Sequence, residues 1–359
     1  MSASTATDAP TSRGSGGRQP SGSTTGARSG RFTRSAGLTI SFALLAFAAL
    51  LSLAVGARSI PLGDVINALL HSGSSQEEAI IRDLRVPRTL LGIVVGAAIG
   101  VAGALMQALT RNPLADPGLL GVNAGASAAV VIALALGVAG AASSVWFAFI
   151  GAAAASVAVY VIGTAGRGGA TPVRLALAGT AITAALTALI YGVALADVKL
   201  LQQYNFWAVG ALGGRGRTQL DAVIPFIAVG LLLALALARS LNALALGDDS
   251  ARALGTKIGR TRIGGAVAVT LLCGAATAAA GPMYFLGLTV PHAARGLCGP
   301  DQRWVLAYSA VLGGALLLFA DVVGRVIVRP GELQAGVMMA IVGTPLFIAL
   351  VRSKRIAQL

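Results

Sequence analysis

Charged residues are scarce in this chain, and the scarcity decides its class. Only 11% of the 359 residues are Asp, Glu, Lys or Arg, where a soluble domain carries about a quarter. Aromatic residues make up 5%, and there are two cysteines and two histidines. Cys273 and Cys298 are 25 positions apart in apolar sequence, which fits no zinc or redox spacing, so both read as small packing residues. His71 and His292 fall on opposite predicted sides of the membrane, which leaves no cluster of the kind a membrane enzyme needs. The chain has no Gly-Lys dipeptide, and hence no G-x-x-x-x-G-K-[ST] loop to cradle nucleotide phosphates. No metal, cofactor or catalytic residue is expected.

What the chain has in abundance is apolar length. It is 56% hydrophobic, with a mean hydropathy of +0.80 and 47 glycines, so it reads as an all-α polytopic membrane protein. The formal charge is +14, which in such a chain points first to cytoplasmic loops and not to nucleic acid. Residues 1–35 are Ser, Thr, Gly and Arg with almost no apolar content and are expected to form a disordered, basic cytoplasmic tail. The apolar run that begins near Leu38 is long enough to span and has no secretory cleavage pattern, so residues 36–359 form the transmembrane domain.

Apolar runs of about 20 residues, divided by polar or Pro/Gly breaks, mark ten candidate spans. They are 36–56, 88–110, 117–139, 143–164, 172–196, 219–240, 261–281, 283–298, 303–328 and 334–352. Ten crossings put both termini on one side. With both in the cytoplasm, 18 basic residues lie inside and 9 outside, or 13 against 9 without the tail, which favours that orientation. Gly92, Gly96 and Gly100 recur every four residues, with Gly103 one turn on, and give one smooth face for close helix packing. Asp321 is the clearest ionisable residue within a span. Arg325 follows four residues later on the same face, so the two read as a structural pair or as part of an ion relay.

Three polar segments stand out. Residues 240–262 form a compact elbow in which Asp248 or Asp249 caps a short helix and Gly255 takes the left-handed position at its end. Leu244, Leu246, Ala251 and Leu254 supply an apolar side, which suits an amphipathic connector or a socket for a soluble partner. RDLRVPR, Arg82 to Arg88, holds Arg85 and Arg88 at the outer end of the second span, where Pro87 is expected to push Val86 out of the helical region. Arg325 comes from the outer end of the ninth span, and this basic rim suits lipid headgroups or a docking partner. RNPLADPGLLG, Arg111 to Gly121, reads as a rigid re-entry set by two prolines and Asp116.

Five blocks in order carry a resemblance: RVPRTLLGIVVGAAIGVAGALMQALTRNPLADPGLLGVNAGA at 85–126, FWAVGAL at 206–212, LALGDDSARALG at 244–255, GPMYFLGLTVPHAARGLCGPD at 281–301 and ELQAGVMMAIVGTPLFIALV at 332–351. From about residue 38 onward the chain resembles the FecCD or BtuC-type permeases, the iron-siderophore, cobalamin and haem family of binding-protein-dependent ABC importers. The resemblance implies a ten-helix subunit in a bacterial cytoplasmic membrane, with both termini cytoplasmic. It makes Leu244, Leu246, Gly247, Asp248, Asp249, Ala251, Arg252, Leu254 and Gly255 the loop that seats in a separate ATPase subunit. It makes Arg85, Arg88 and Arg325 the residues that dock acidic groups of an extracytoplasmic binding protein, and charge reversal at Arg85 and Arg88 is expected to weaken docking without unfolding the bundle. His292, in the string Pro291 to Arg295, is expected to be structural. The implied partners are ATP-binding subunits, the binding protein, a second permease subunit identical or related to this one, and membrane lipid, with no nucleic acid. A path lined by the fifth and tenth spans would carry a ferric siderophore, with cobalamin or haem as the alternative cargo. An ion-coupled secondary transporter is the rival class, and the shortage of midspan carboxylates speaks against it.

Overall fold

A run of apolar side chains at membrane depth must satisfy its backbone within itself, and helices do so locally. The computed structural model describes residues 25–56, 60–71, 75–138, 143–165, 172–329 and 331–352, and the regular structure of these residues is helical. In chain order the elements are α1 (Thr25–Ala54), α2 (Leu62–Leu70), α3 (Gln76–Ala79), a π-helical turn at Ile80–Arg85, α4 (Val86–Thr110), a 3-10 turn at Pro117–Leu120, α5 (Val122–Ala135), α6 (Ser143–Thr164), α7 (Pro172–Ala194), α8 (Val198–Ala208), α9 (Arg217–Ala245), α10 (Asp248–Ala253), α11 (Ile258–Ala280), α12 (Leu286–Cys298), α13 (Gln302–Ile327) and α14 (Ala335–Arg352). Each expected span coincides with a helix. Seven of the described helices are long and apolar enough to cross a membrane; α5 and the apolar part of α14 are shorter, and α12 has 13 residues.

The differences from the sequence reading have local causes. Of the expected tail, residues 1–24 lie outside the described residues, whereas 25–35 continue α1, since adding a turn to an existing helix costs little. Val86 is helical, with φ −62° and ψ −52°, and not extended. The wider π turn before it sends the Val86 N–H five residues back to Ile81 O, and Pro87 then sits in the first turn of α4 where a missing N–H costs nothing. α5 begins at Val122 and not at 117 because Asp116 accepts a 2.8 Å bond from Gly118 N and holds a 3-10 turn, which Gly121 ends at φ +71°. α12 begins at Leu286 because residues 281–285 run without helix and Phe285 takes a left-handed conformation at φ +66°.

α4 is the axis of the bundle. In its most apolar window 83% of residues are buried, against 17% for α1 and α7. Its glycines make that possible. A Cβ on Gly96 would collide with the carbonyl oxygen of Gly313 on α13, one on Gly100 with that of Ser309, and one on Gly103 with that of Gly287 on α12. Gly92 faces Leu318 and Leu212. Backbone thus meets backbone from Gly96 to Gly103, and dispersion over that contact replaces the hydrophobic drive that lipid does not supply. Gly287 touches α4 seven residues before its end, about 10 Å in at 1.5 Å per residue, so α12 starts inside the bundle and not at its surface.

Gly96→Leu is expected to destabilise the folded protein by about 3 kcal/mol or more, the upper end of overpacking costs, because both colliding groups are backbone. Gly63→Ala on α2, where nothing lies within 4 Å of the added Cβ, is expected to be neutral or slightly stabilising. Thermal unfolding of the two purified variants in detergent checks the contrast.

Candidate functional site

Two groups of polar residues sit at opposite ends of α4. At its start, the rim, the last turn of α1 presents carbonyls that have no helical partner. Arg85 Nη1 donates to Leu53 O at 2.6 Å and Ala54 O at 2.9 Å. Arg325 Nη1 donates to Ser52 O and Val55 O, both at 3.0 Å, and its Nη2 donates to Ser52 Oγ at 2.8 Å. Two guanidinium groups therefore cap one helix C-terminus, where cations are favoured. Ser52 Oγ also pairs with Thr89 Oγ1 at 2.8 Å.

Asp321 balances this charge from a fully buried position, with Arg325 Nη2 at 2.8 Å. Arg88 grips the same carboxylate in bidentate fashion, Nη2 to Oδ1 at 2.8 Å and Nε to Oδ2 at 3.1 Å, while its Nη1 reaches Glu332 Oε2 at 2.8 Å. Asp321 is thus saturated by two arginines, which is the structural pair expected from its spacing to Arg325, widened by Arg88. Exposure separates the three expected docking residues. Arg85 is 7% and Arg325 2% exposed, and both turn their guanidinium groups into the chain. Arg88, whose side chain is 14% exposed, is the most open of the three, and all three line a cavity of about 640 Å³ at this end together with Phe206, Gly213, Arg215 and Glu332. Charge reversal at Arg85 would leave α1 carbonyls facing a carboxylate, and reversal at Arg88 would set a third carboxylate against buried Asp321 and Glu332, so the geometry speaks against a harmless reversal at either position.

Arg215 was not singled out by sequence. It sits in the turn between α8 and α9, half-buried, and burial pulls its guanidinium below the usual range without a countercharge. A GGRGR string gives no clue that one arginine stays unpaired. Glu332 and Ser52 were missed as partners too, although Ser52 is conspicuous as a lone hydroxyl near the end of an apolar run.

The other end carries the elbow. α10 starts after Gly247, which has φ +103°, with Asp248 and Asp249 in its first turn and no side-chain cap, so neither aspartate caps it as expected. Gly255 closes it at φ +77°. Asp248 instead bonds Arg111, at the end of α4, and Arg262 of α11 at 3.1 Å. Asp249 and Arg252 form an exposed pair at 2.8 Å. The expected apolar side divides: Leu244 and Ala251 are buried in the chain, while Leu246 and Leu254 are each 65% exposed. Arg111 opens the re-entrant segment, whose Pro117 packs on Gly287 at the start of α12. Farther along α12, buried Arg295 donates to Gln107 Oε1 of α4 at 2.6 Å, and His292 on the turn before it is half-buried.

Comparison with known proteins gives a consistent result. A family model described as the FecCD transport family matches residues 44–353. The ferric enterobactin transport system permease protein FepD of Escherichia coli (strain K12) is 49% identical over 312 residues, 87% of this chain and 93% of that protein. The Fe(3+)-citrate import system permease protein YfmD of Bacillus subtilis (strain 168) is 44% identical over 305 residues, 85% of this chain and 91% of that one. A solved structure described as inward-facing and of the metal-chelate ABC transporter type superposes with a TM-score of 0.77 at 24% identity, over 88% of this chain and 97% of that one, and so shares the fold.

Asp321→Asn is expected to cost about 3–5 kcal/mol, because it leaves two buried guanidinium groups short of charge. Replacing Asp321 and Arg325 together by Leu and Met is expected to cost more than the single change, because it also strips the carbonyls of Ser52 and Val55 at the end of α1 of their donor and still leaves Arg88 without its carboxylate. Thermal unfolding of both variants beside wild type checks the order.

Proposed function

The chain belongs to the FecCD transport family, and from that premise we propose that it is the membrane-spanning permease subunit of an ATP-driven importer of ferric siderophores. The observation that carries the reading is the 49% identity, over nearly the full length of both chains, to a permease named for ferric enterobactin. On this reading the rim faces outward and the elbow faces the cytoplasm, with both termini on the elbow side. The permease holds the path, a separate ATPase supplies the energy, and a binding protein delivers the chelate.

The geometry gives each end a matching part. Leu246 and Leu254 project from an elbow that is pinned through Asp248 to both Arg111 and Arg262. Two exposed leucines on a pinned turn are a knob for a cleft in a soluble partner, and a push on that knob reaches α4 and α11 directly. At the rim, Arg88 is shared between Asp321 and the half-exposed Glu332, and an acidic group of the binding protein takes the place of Glu332 on it. Arg85 and Arg325 hold the end of α1 and set the position of Arg88. α7 leaves most of its surface uncovered by this chain, as a path-lining helix facing a second permease subunit would.

The test is reconstitution in proteoliposomes with the ATPase and the binding protein. Uptake of a ferric chelate that needs ATP and survives collapse of the proton gradient is expected, and equal uptake without ATP would overturn the mechanism. In the same system Leu254→Arg is expected to abolish stimulation of ATP hydrolysis by the loaded binding protein while the bundle stays folded. Arg88→Lys, which keeps a cation beside Asp321 and Glu332 but loses the planar fork, is expected to weaken binding-protein affinity by up to about ten-fold.

A further inference from the structure

Every arginine that lines the rim cavity, save one, has its partner within the chain. Arg85 and Arg325 hold carbonyls of α1, and Arg88 holds Asp321 and Glu332. Arg215 has no hydrogen-bonding or ion-pair partner for its side chain among the described residues. Four arginines, Arg85, Arg88, Arg215 and Arg325, thus stand against Asp83, Glu332 and the Asp321 behind them, and Arg215 is the excess positive charge. Its guanidinium lines the open cavity with its donors uncommitted among the described residues, placed where an anion from outside can take them.

The surroundings say what kind of anion. Beside Arg215 the wall is bare backbone at Gly213 and Gly214: a Cβ on Gly214 would meet nothing within 4 Å, and one on Gly213 would crowd the Arg88 to Glu332 pair. The Phe206 ring, 67% exposed, stands at the same cavity. The space, about 640 Å³, falls within the range that takes a small molecule, about 300–1,000 Å³, and is far more than one carboxylate side chain from a protein partner would fill.

We propose that Arg215, with Phe206 and the Gly213–Gly214 backbone, forms an entry site on the permease that receives a negatively charged iron chelate, one held by catecholate or carboxylate oxygens, in preference to an uncharged chelate. This rests on the importer reading above. Deprotonated oxygen donors that outnumber the three charges of Fe³⁺ leave such a chelate anionic. The guanidinium then forms charge-assisted hydrogen bonds with those oxygens, and an aryl ring on the chelate packs on Phe206. A single unpaired arginine supplies selectivity while the open cavity lets the cargo leave.

The experiment uses the permease and ATPase complex in nanodiscs, first without the binding protein, and measures binding of ferric enterobactin as the anionic probe and ferrichrome as the uncharged one. Arg215→Gln is expected to weaken the anionic chelate by about ten-fold, loss of one charge-assisted contact, with Arg215→Lys recovering part of it and ferrichrome binding unchanged. Binding-protein affinity, read on the same variants, is expected to hold. Equal binding of the anionic chelate by wild type and Arg215→Gln would overturn the proposal, as would a loss confined to binding-protein affinity, which would make the anion a protein carboxylate. Thermal unfolding confirms that each variant is folded. Wild type that shows no ATP-dependent chelate uptake in proteoliposomes defeats the importer reading itself, whereas uptake by wild type with no effect at Arg215 defeats only the entry site.

Discussion

The close approach of α4 to α13 fixes the register on which the functional ends depend. The helices run antiparallel, and Gly96 opposes Gly313 while Gly100 opposes Ser309. Arg88 lies eight residues before Gly96, and Asp321 lies eight after Gly313. At 1.5 Å per residue both are about 12 Å from the glycine contact, so a register set by backbone collision delivers a guanidinium to a carboxylate. A slip of one residue would swing Asp321 by about 100° and leave it buried without Arg88. The ion pair does not align the helices, because a charge pair this deep roughly breaks even against its desolvation; the glycines align them, and the ion pair penalises every other alignment.

The same economy governs the irregular backbone. Residues 115–121, with their single 3-10 turn, and 281–283 are largely buried in the bundle and lack α-helical hydrogen bonding, which lipid would not tolerate. The first survives because Pro117 packs on Gly287 at the start of α12 and Asp116 satisfies Gly118 N, the second because Gly281 and Pro282 pack against Gly210. The contact of Pro117 with Gly287 is also the end of a continuous chain of contacts. Asp248 on the elbow holds Arg111, Arg111 opens the re-entrant segment, and that segment abuts α12. Motion imposed on the elbow therefore has a stiff route into the middle of the membrane domain, built of one ion pair and one proline contact.

Much of this was legible from residue spacing. Glycines at i, i+4 and i+8 announce a helix that touches another closely, and the Asp321 to Arg325 interval announces a pair on one face. The elbow's turn positions followed from Gly255, but not which leucines it buries, because burial depends on α9 and α11 packing beneath it. The short α5 and α12 were read as longer spans since composition does not show where an apolar stretch is held extended. The π turn before Pro87 was invisible for a similar reason: a proline predicts an extended neighbour unless the preceding turn widens to admit it. Partnerships across hundreds of residues, such as Arg325 with the carbonyls of α1 or Arg88 with Glu332, leave no mark in a single sequence.

Burial also decides how a basic rim should be understood. An arginine count treats Arg85, Arg88 and Arg325 alike, yet two of the three spend their donors on carbonyls at the end of α1. Removing their guanidinium groups would expose orphan backbone acceptors before it touched any partner. The rim is thus two shells of one charge sign. The inner shell is neutralised by Asp321, Glu332 and the helix end, and at the outer edge Arg215 alone has no partner among the described residues. The chain's +14 formal charge says nothing of this, since the charge at the rim that matters for binding is what remains after the fold has used its own, and only that remainder is free to meet an anion.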